Sequence, residues 1–193
     1  MEDIMDFSKY FWQGDKVRLR PLHKDDAQSA FECMLDSPAR RVLQLGIELP
    51  YSIEWWRQFL EKYADCKDVN GIIIFTVEDV EGNNVGGISF HSRHRKNGTF
   101  TIGLDIDAPY RRKGYGRDAM RILMRYAFHE RRYQKCNSGC VDVNEPSIQF
   151  HKNLGFVEEG RRRRHIFFNG QFHDDILFGL TREEFDAGEA KTG

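Results

Sequence analysis

The stretch YRRKGYGRDAM, residues 110–120, constrains this chain more than any other. It follows an alternating run, TFTIGLDI at 99–106, and leads into Ala119, Ile122, Leu123, Tyr126 and Ala127 at helical spacing. A strand, a short loop and a helix starting near Arg117 are therefore expected. Glycine costs a helix about 1 kcal/mol relative to alanine, and the adjacent cations Arg111, Arg112 and Lys113 repel one another, so something must compensate. The N–H groups at a helix start are unpaired and carry partial positive charge. Gly114 and Gly116 remove the Cβ atoms that would hold a ligand away from them. One reading is a cradle for phosphate; the other is a glycine-rich connection carrying a solvated charge cluster. The Gly-Lys-Ser/Thr of a P-loop is missing, and the strand before the stretch continues an antiparallel run, unlike the βαβ setting of a dinucleotide-binding turn.

Around this feature the chain alternates between periods of two and of 3.6. VRLRPL (17–22) is strand-like. Asp25 or Asp26 is placed to cap a helix with Ala27, Ala30, Phe31, Met34 and Leu35 on one face. Residues 36–51 read as loop or broken helix. Ser52 caps a second helix with Trp56, Phe59, Leu60 and Tyr63 in its stripe. IIIFTVE (72–78) and VGGISFH (85–91) flank the turn EGNN. CNSGCVDV (136–143) is a strand and PSIQFHKNL (146–154) a short helix. FVEEGRRRRHIFF and QFHDDILFGL form a hairpin about Asn169-Gly170. The tail from Ala187 is expected to fray. The order β-α-α-β-β-β-α-β-α-β-β is that of a mixed α/β sheet.

With 193 residues, one domain spanning 1–193 is expected, its core at residues 15–185 and its termini flexible. The formal net charge of −1 gives no global argument for nucleic acid or a membrane surface. Cys33, Cys66, Cys136 and Cys140 are scattered without zinc-ligand spacing, and the acidic, broken start is unlike a signal peptide. Free thiols in a cytoplasmic protein are the expectation.

Arg111, Gly114 and Gly116 form R-x-x-G-x-G, and VDVNEPSIQFHKNLGF follows at 141–156. This ordered pair resembles the GNAT acyltransferase superfamily. Asn144, Ser147, Ile148, Gly155 and Phe156 match its second motif, N-x-x-[AS]-I-x-x-Y-x-K-x-G-F, with a basic residue near it at Lys152. The segment EEGRRRRHIFFNGQFHDDILF is similar to the end of spermidine acetyltransferases and of ribosomal-protein N-terminal acetyltransferases. The resemblance runs from residue 17 to residue 181. It implies the GNAT fold, a mostly antiparallel mixed sheet of about seven strands, splayed between the fourth and fifth, with about four helices. It implies acetyl-CoA as co-substrate, no metal, and transfer of acetyl to a primary amine by direct attack in a ternary complex. The pyrophosphate would lie on the backbone amides of Arg112, Lys113, Gly114, Tyr115, Gly116 and Arg117. The pantetheine would pair with Leu104, Asp105 and Ile106, with Asn144 holding it or the loop beside it, and Ser147 and Lys152 close by. A backbone N–H, that of Ile106, would polarise the thioester carbonyl.

Two positions depart from the family. His151 stands where a tyrosine acts as acid on the leaving thiolate; it either serves as that acid or packs beside the cofactor. Thr101 stands where many relatives carry a glutamate base, and it cannot act as one. The two departures keep open an alternative, an acyl-CoA-binding sensor without chemistry. Residues 21–65 hold eight acids against five bases, which suits a cationic acceptor such as a polyamine. A protein N-terminal amine, with its lower pKa, suits a site with a poor base. Trp55 is the freer candidate to line an acceptor pocket and Trp56 the core residue. His91 and His94 are read as a solvated hairpin end. His165, His173, Asp174 and Asp175 are read as surface hydrogen-bonding groups, with Asp174 helping to shape the acceptor cleft, and Arg161–Arg164 as too split between two faces for nucleic acid. The C-terminal hairpin would be a natural edge for a homodimer.

Overall fold

Alternating residues build strands β1 (Val17–Pro21), β2 (Ile73–Asp79), β3 (Asn84–His94), β4 (Thr99–Ile106), β5 (Lys135–Val141), β6 (Val157–Phe168) and β7 (Gln171–Thr181). In the computed structural model they form one sheet in the order β1-β2-β3-β4-β5-β7-β6. The structure describes residues 6–43, 47 and 49–190; Glu48, one of the acids in the charge count, lies outside them. Every neighbouring pair is antiparallel except β4 and β5. That parallel pair is short, matching Thr99–Thr101 with Lys135–Asn137. Beyond it β4 stays with β3 while β5 stays with β7, so the sheet forks. The expected splayed GNAT sheet is therefore present.

Helices α1 (Ala27–Leu35), α2 (Ser37–Val42), α3 (Ile53–Tyr63), α4 (Tyr115–Arg125), α5 (Glu145–Asn153) and α6 (Arg182–Glu189) complete the fold. α4 and α5 cover one face, where Phe90, Phe100, Cys136 and Phe178 meet Ala119, Leu123 and Ile148. Each of the buried phenylalanine and leucine side chains contributes about 1.5–3 kcal/mol. α1 and α3 cover the other face through Leu22, Ala27, Leu60 and Tyr63. β6 is an edge strand, and Phe167 and Phe172 at the hairpin end are exposed against each other.

Several boundaries differ from expectation. α4 begins at Tyr115 rather than Arg117, because Gly114 takes φ 91° and forms its N-cap. Neither Asp25 nor Asp26 caps α1 through its side chain; Asp26 precedes the helix and its carboxylate accepts from His23 N at 2.9 Å. Within residues 36–51, α2 is capped by Asp36. The C-terminal tail holds α6, fixed by a capping box of Thr181 and Glu184. The N-terminal segment also joins the core. Trp12 stacks on Phe75 and touches Tyr126, and Arg125 donates to the Phe11 carbonyl at 2.7 Å.

Asp118, in the first turn of α4, locks that helix to β1. Its buried carboxylate accepts from the N–H groups of Lys16 and Val17 at 2.7 and 2.9 Å. A side chain at Gly14 would collide with this carboxylate. Each buried donor left unpaired costs about 1–3 kcal/mol. Asp118→Ala should therefore lower unfolding stability by about 2–5 kcal/mol, read by urea titration, and Asp118→Asn by less.

Candidate functional site

The glycine stretch lies where the fork opens. After a 3₁₀ turn at Ala108–Tyr110 the backbone is extended at Arg111, left-handed at Arg112 (φ 63°) and left-handed again at Gly114. Such reversals turn successive N–H groups toward one concavity. Among the described residues no acceptor meets the N–H groups of residues 112–117, and the first helical bond runs from Asp118 N to Gly114 O. Arg112, Lys113 and Arg117 are exposed around them. The two glycines do different work. At Gly114 the positive φ decides, and a Cβ would also stand 3.1 Å from Lys16 Nζ. At Gly116, which is buried, a Cβ would meet Leu104 at 3.1 Å and Ile106 at 3.4 Å. That glycine permits close packing of α4 on β4 rather than contact with a ligand.

Arg111 serves the loop itself. Its Nε donates to the Ile106 carbonyl at 2.7 Å, and its guanidinium lies 3.3 Å from Asp36 and 4.0 Å from Asp105. The N–H of Asp107 donates to Val85 on β3. Because strand N–H groups alternate in direction, those of Ile106 and Leu104 point away from β3, into the fork. Asp105 differs: its backbone faces β3 and its side chain faces α1.

On α5, Asn144 is a helix cap: its Oδ1 accepts from Ser147 N at 3.3 Å and its Nδ2 donates to Val42 O at 3.3 Å. It holds α5 and the loop beside it, tying both to α2. Lys152 is exposed. His151 is buried, stacked on Phe178 with ring centroids 4.8 Å apart. Its Nδ1 lies 2.7 Å from the Ser147 carbonyl, which fixes the proton there, and its Nε2 lies 2.7 Å from Ser138 Oγ. Burial pushes the imidazole pKa down, against the Ser147 carbonyl, which raises it. Both ring nitrogens are thus committed within the protein. Ser138 is the first β5 residue past the last β4 pair, at the vertex of the fork. Sequence reasoning had not singled it out, since a lone serine in a strand carries no signal.

The opposite face holds a cavity of about 410 Å³ between α1, α3 and strands β2–β4. Trp56 and Leu60 give it apolar wall; Asp26, Cys33, Asp105 and Asp107 give it acid and thiol. Trp56 lines it, whereas Trp55 stacks on Tyr51 and Phe59 outside, the reverse of expectation. Asp26 is already held by Arg20, Thr76 and Asn84. Cys33 donates to Asp105 at 2.8 Å, and Ser29 to Asp107 at 3.0 Å. Burial pushes the Asp107 carboxyl up, opposed by the Ser29 hydrogen bond and reinforced by Asp105. Burial, with Asp105 beside it, pushes the Cys33 thiol up to about 12. The Cys66, Cys136 and Cys140 thiols are raised by burial as well.

On the hairpin the expected surface groups are partly interior. Asp175 is buried and paired with Arg162, and His173 stacks on Phe168 beside Asp142. Asp174 accepts from Arg164 N at 2.9 Å, shaping the hairpin. No helix among the described residues is long and apolar enough to cross a membrane.

Comparison with known proteins agrees with this geometry. The chain is 34% identical over 176 residues to the SPbeta prophage-derived uncharacterized N-acetyltransferase YokL of Bacillus subtilis, covering 91% of this chain and 96% of that protein. It is 26% identical to the spermidine N(1)-acetyltransferase of Escherichia coli, covering 91% of each. It shares the fold of a GCN5-related N-acetyltransferase from Brucella melitensis, with a TM-score of 0.76 at 24% identity, over 93% of this chain and 83% of that one. Residues 16–157 match the acetyltransferase (GNAT) domain. With the forked sheet, the unpaired amides at the start of α4 and this match over most of its length, the chain belongs to the GNAT acetyltransferase family and is an N-acetyltransferase.

Proposed function

We propose that this chain moves acetyl from acetyl-CoA to a primary amine by direct attack while both are bound. One observation carries the proposal: the fork, with N–H groups aimed into it, lies between the free amides of residues 112–117 and the acid-lined cavity. Backbone amides of Arg112, Lys113, Gly114, Tyr115, Gly116 and Arg117 hold the pyrophosphate, with the cationic side chains around them. The edge Leu104-Asp105-Ile106 holds the pantetheine through the N–H groups of Leu104 and Ile106, and that of Leu104, the nearer to Ser138 and Gly103, polarises the thioester oxygen. Arg111 and Asn144 hold the walls, with Ser147 and Lys152 along the α5 side. The raised thiol pKa values argue against a cysteine nucleophile, since thiolate is the reactive form.

The acceptor enters from the cavity. Its Asp105 and Asp107 favour a cationic amine, which in turn favours the charged form of the half-buried Asp107. A polyamine fits better than a neutral amine. His151 supplies the thiolate with a proton through Ser138, because no ring nitrogen is free to do so directly. A homodimer through β6 and the exposed Phe167 and Phe172 belongs to the same proposal, and sedimentation showing a single copy would remove it.

The test is acetyl-CoA-dependent thiol release with spermidine, an Ala- or Ser-starting peptide, amino acids and an aminoglycoside. Turnover with spermidine is expected, and Asp105→Asn with Asp107→Asn should raise the polyamine KM at least about tenfold, the equivalent of 1.4 kcal/mol. Peptide turnover instead would move the acceptor to a protein N-terminus. Silence across the panel with CoA still bound would leave the sensor.

A further inference from the structure

We propose that His91 is the base that takes the proton from the attacking amine; this rests on the acetyl-transfer reading. His91 on β3 pairs directly with Thr101, the β4 residue at the end of the β4–β5 contact. It therefore stands beside the position whose threonine cannot act as a base, on the cavity face of the sheet. The register breaks immediately after it, and Ser92 adopts φ 49°. A bulge of this kind re-aims the side chains next to it.

The Ser92 hydroxyl lies 3.1 Å from His91 Nδ1. With the Nδ1–H donated there, the lone pair sits on Nε2, for which no protein donor is found among the described residues. Nε2 faces Gly103 on β4, and a Cβ at that glycine would stand 3.5 Å from Nε2 and 2.7 Å from Ser89 Oγ. Gly103 thus keeps open a space that two polar atoms border, and both Gly103 and Ser89 line the cavity. An amine nitrogen there would lie between the acids that attract it and the fork that presents the thioester.

The ring is half-buried, and burial keeps its pKa below the ordinary value, so it is neutral near pH 7. The ionisable groups on the surrounding strands are committed elsewhere. Asp105 on β4 is engaged by Cys33 and Arg111, Arg93 pairs with Asp68, and His94 accepts from Asn97 N. Lys135 at the start of β5 pairs with Glu159; β2 offers only uncharged Ile73 and Ile74 at this level.

The proton balance is simple. The amine nitrogen bonds to the carbonyl carbon, the carbon–sulphur bond breaks, the amine proton passes to His91 Nε2, and the thiolate collects a proton from the opposite face.

The experiment is the pH dependence of kcat/KM for the amine, with acetyl-CoA saturating, in the wild type, His91→Gln and Gly103→Ala. His91→Gln should lose at least about tenfold at pH 7 and lose the extra steepness that His91 protonation adds below about pH 6.5 to the acid limb set by the amine itself, with acetyl-CoA affinity unchanged. Gly103→Ala, which keeps the histidine and fills the space, should raise the amine KM. Should His91→Gln not fold, an unaltered amine KM and acid limb in Gly103→Ala would overturn the proposal. Wild-type turnover with that extra steepness intact in His91→Gln would overturn it alone. Wild-type turnover at background with every amine would overturn the transfer reading and this inference together.

Discussion

Gly114→Glu should lower acetyl-CoA affinity by about 10²–10⁴-fold while leaving the fold in place. The new carboxylate would project among the N–H groups of residues 112–117, where the structure places no acceptor of its own. Hydrogen bonds to a charged group are worth about 1.5–3 kcal/mol each. Losing two of them gives about 3–6 kcal/mol, which is the stated range. Repulsion between the carboxylate and the pyrophosphate adds to it. Backbone strain contributes separately, because Gly114 sits at φ 91° and a left-handed non-glycine residue costs about 1–2 kcal/mol. Gly114→Ala isolates that strain: it should lose stability and keep much of its affinity. Calorimetry with CoA and acetyl-CoA separates the two. Equal affinities in the wild type and Gly114→Glu would remove the cradle from the binding site. Gly116 is the contrast, since Gly116→Val would wedge α4 from Leu104 and Ile106 and should fail through stability first.

How far the sequence reached depended on the range of the signal. The strand order, the hairpins and the α4 stripe are local periodicities, and their positions emerged within a few residues. The start of α6 is also legible, since Thr181 and Glu184 stand at capping-box spacing, and the fraying expected from Ala187 falls on its last turn, which is helical to Glu189. What stayed hidden were contacts across the chain. Trp12 meets Phe75 and Tyr126 far along the sequence, so a broken N-terminal segment proved part of the core. Trp55 and Trp56 both lie near the apolar stripe of α3, and only the packing of α1 on α3 shows which one faces the cavity. His91 looked like a hairpin end because a bulge leaves no periodic trace. Ser138 became notable only when the fork placed it at the vertex.

Ser138→Ala should lower turnover by about 10²-fold, as much as His151→Phe, and the double variant should fall no further. The reason is geometric. The imidazole Nδ1–H is fixed on the Ser147 carbonyl, so a protonated ring can donate only through Nε2 to Ser138 Oγ, whose own proton is then free for the thiolate. A direct acid would not need the serine, and the double-variant cycle would then be additive. The pH profile adds a sign. Burial holds the His151 pKa below 6.5, so its acid form shrinks tenfold per pH unit above that point. The neutral form of an amine with a pKa of about 10.4 grows tenfold per unit over the same range. The two cancel, and kcat/KM for a polyamine should be flat from about pH 7 to pH 9. Without the relay only the amine remains, and Ser138→Ala should rise tenfold per unit across that window. Stability moves the other way on the acid side. A histidine kept neutral in the fold but free to charge in the unfolded chain costs stability as pH falls below about 6.5, until the folded pKa is passed. His151→Phe should remove that loss whatever it does to turnover, which separates a ring that packs from a ring that also carries a proton.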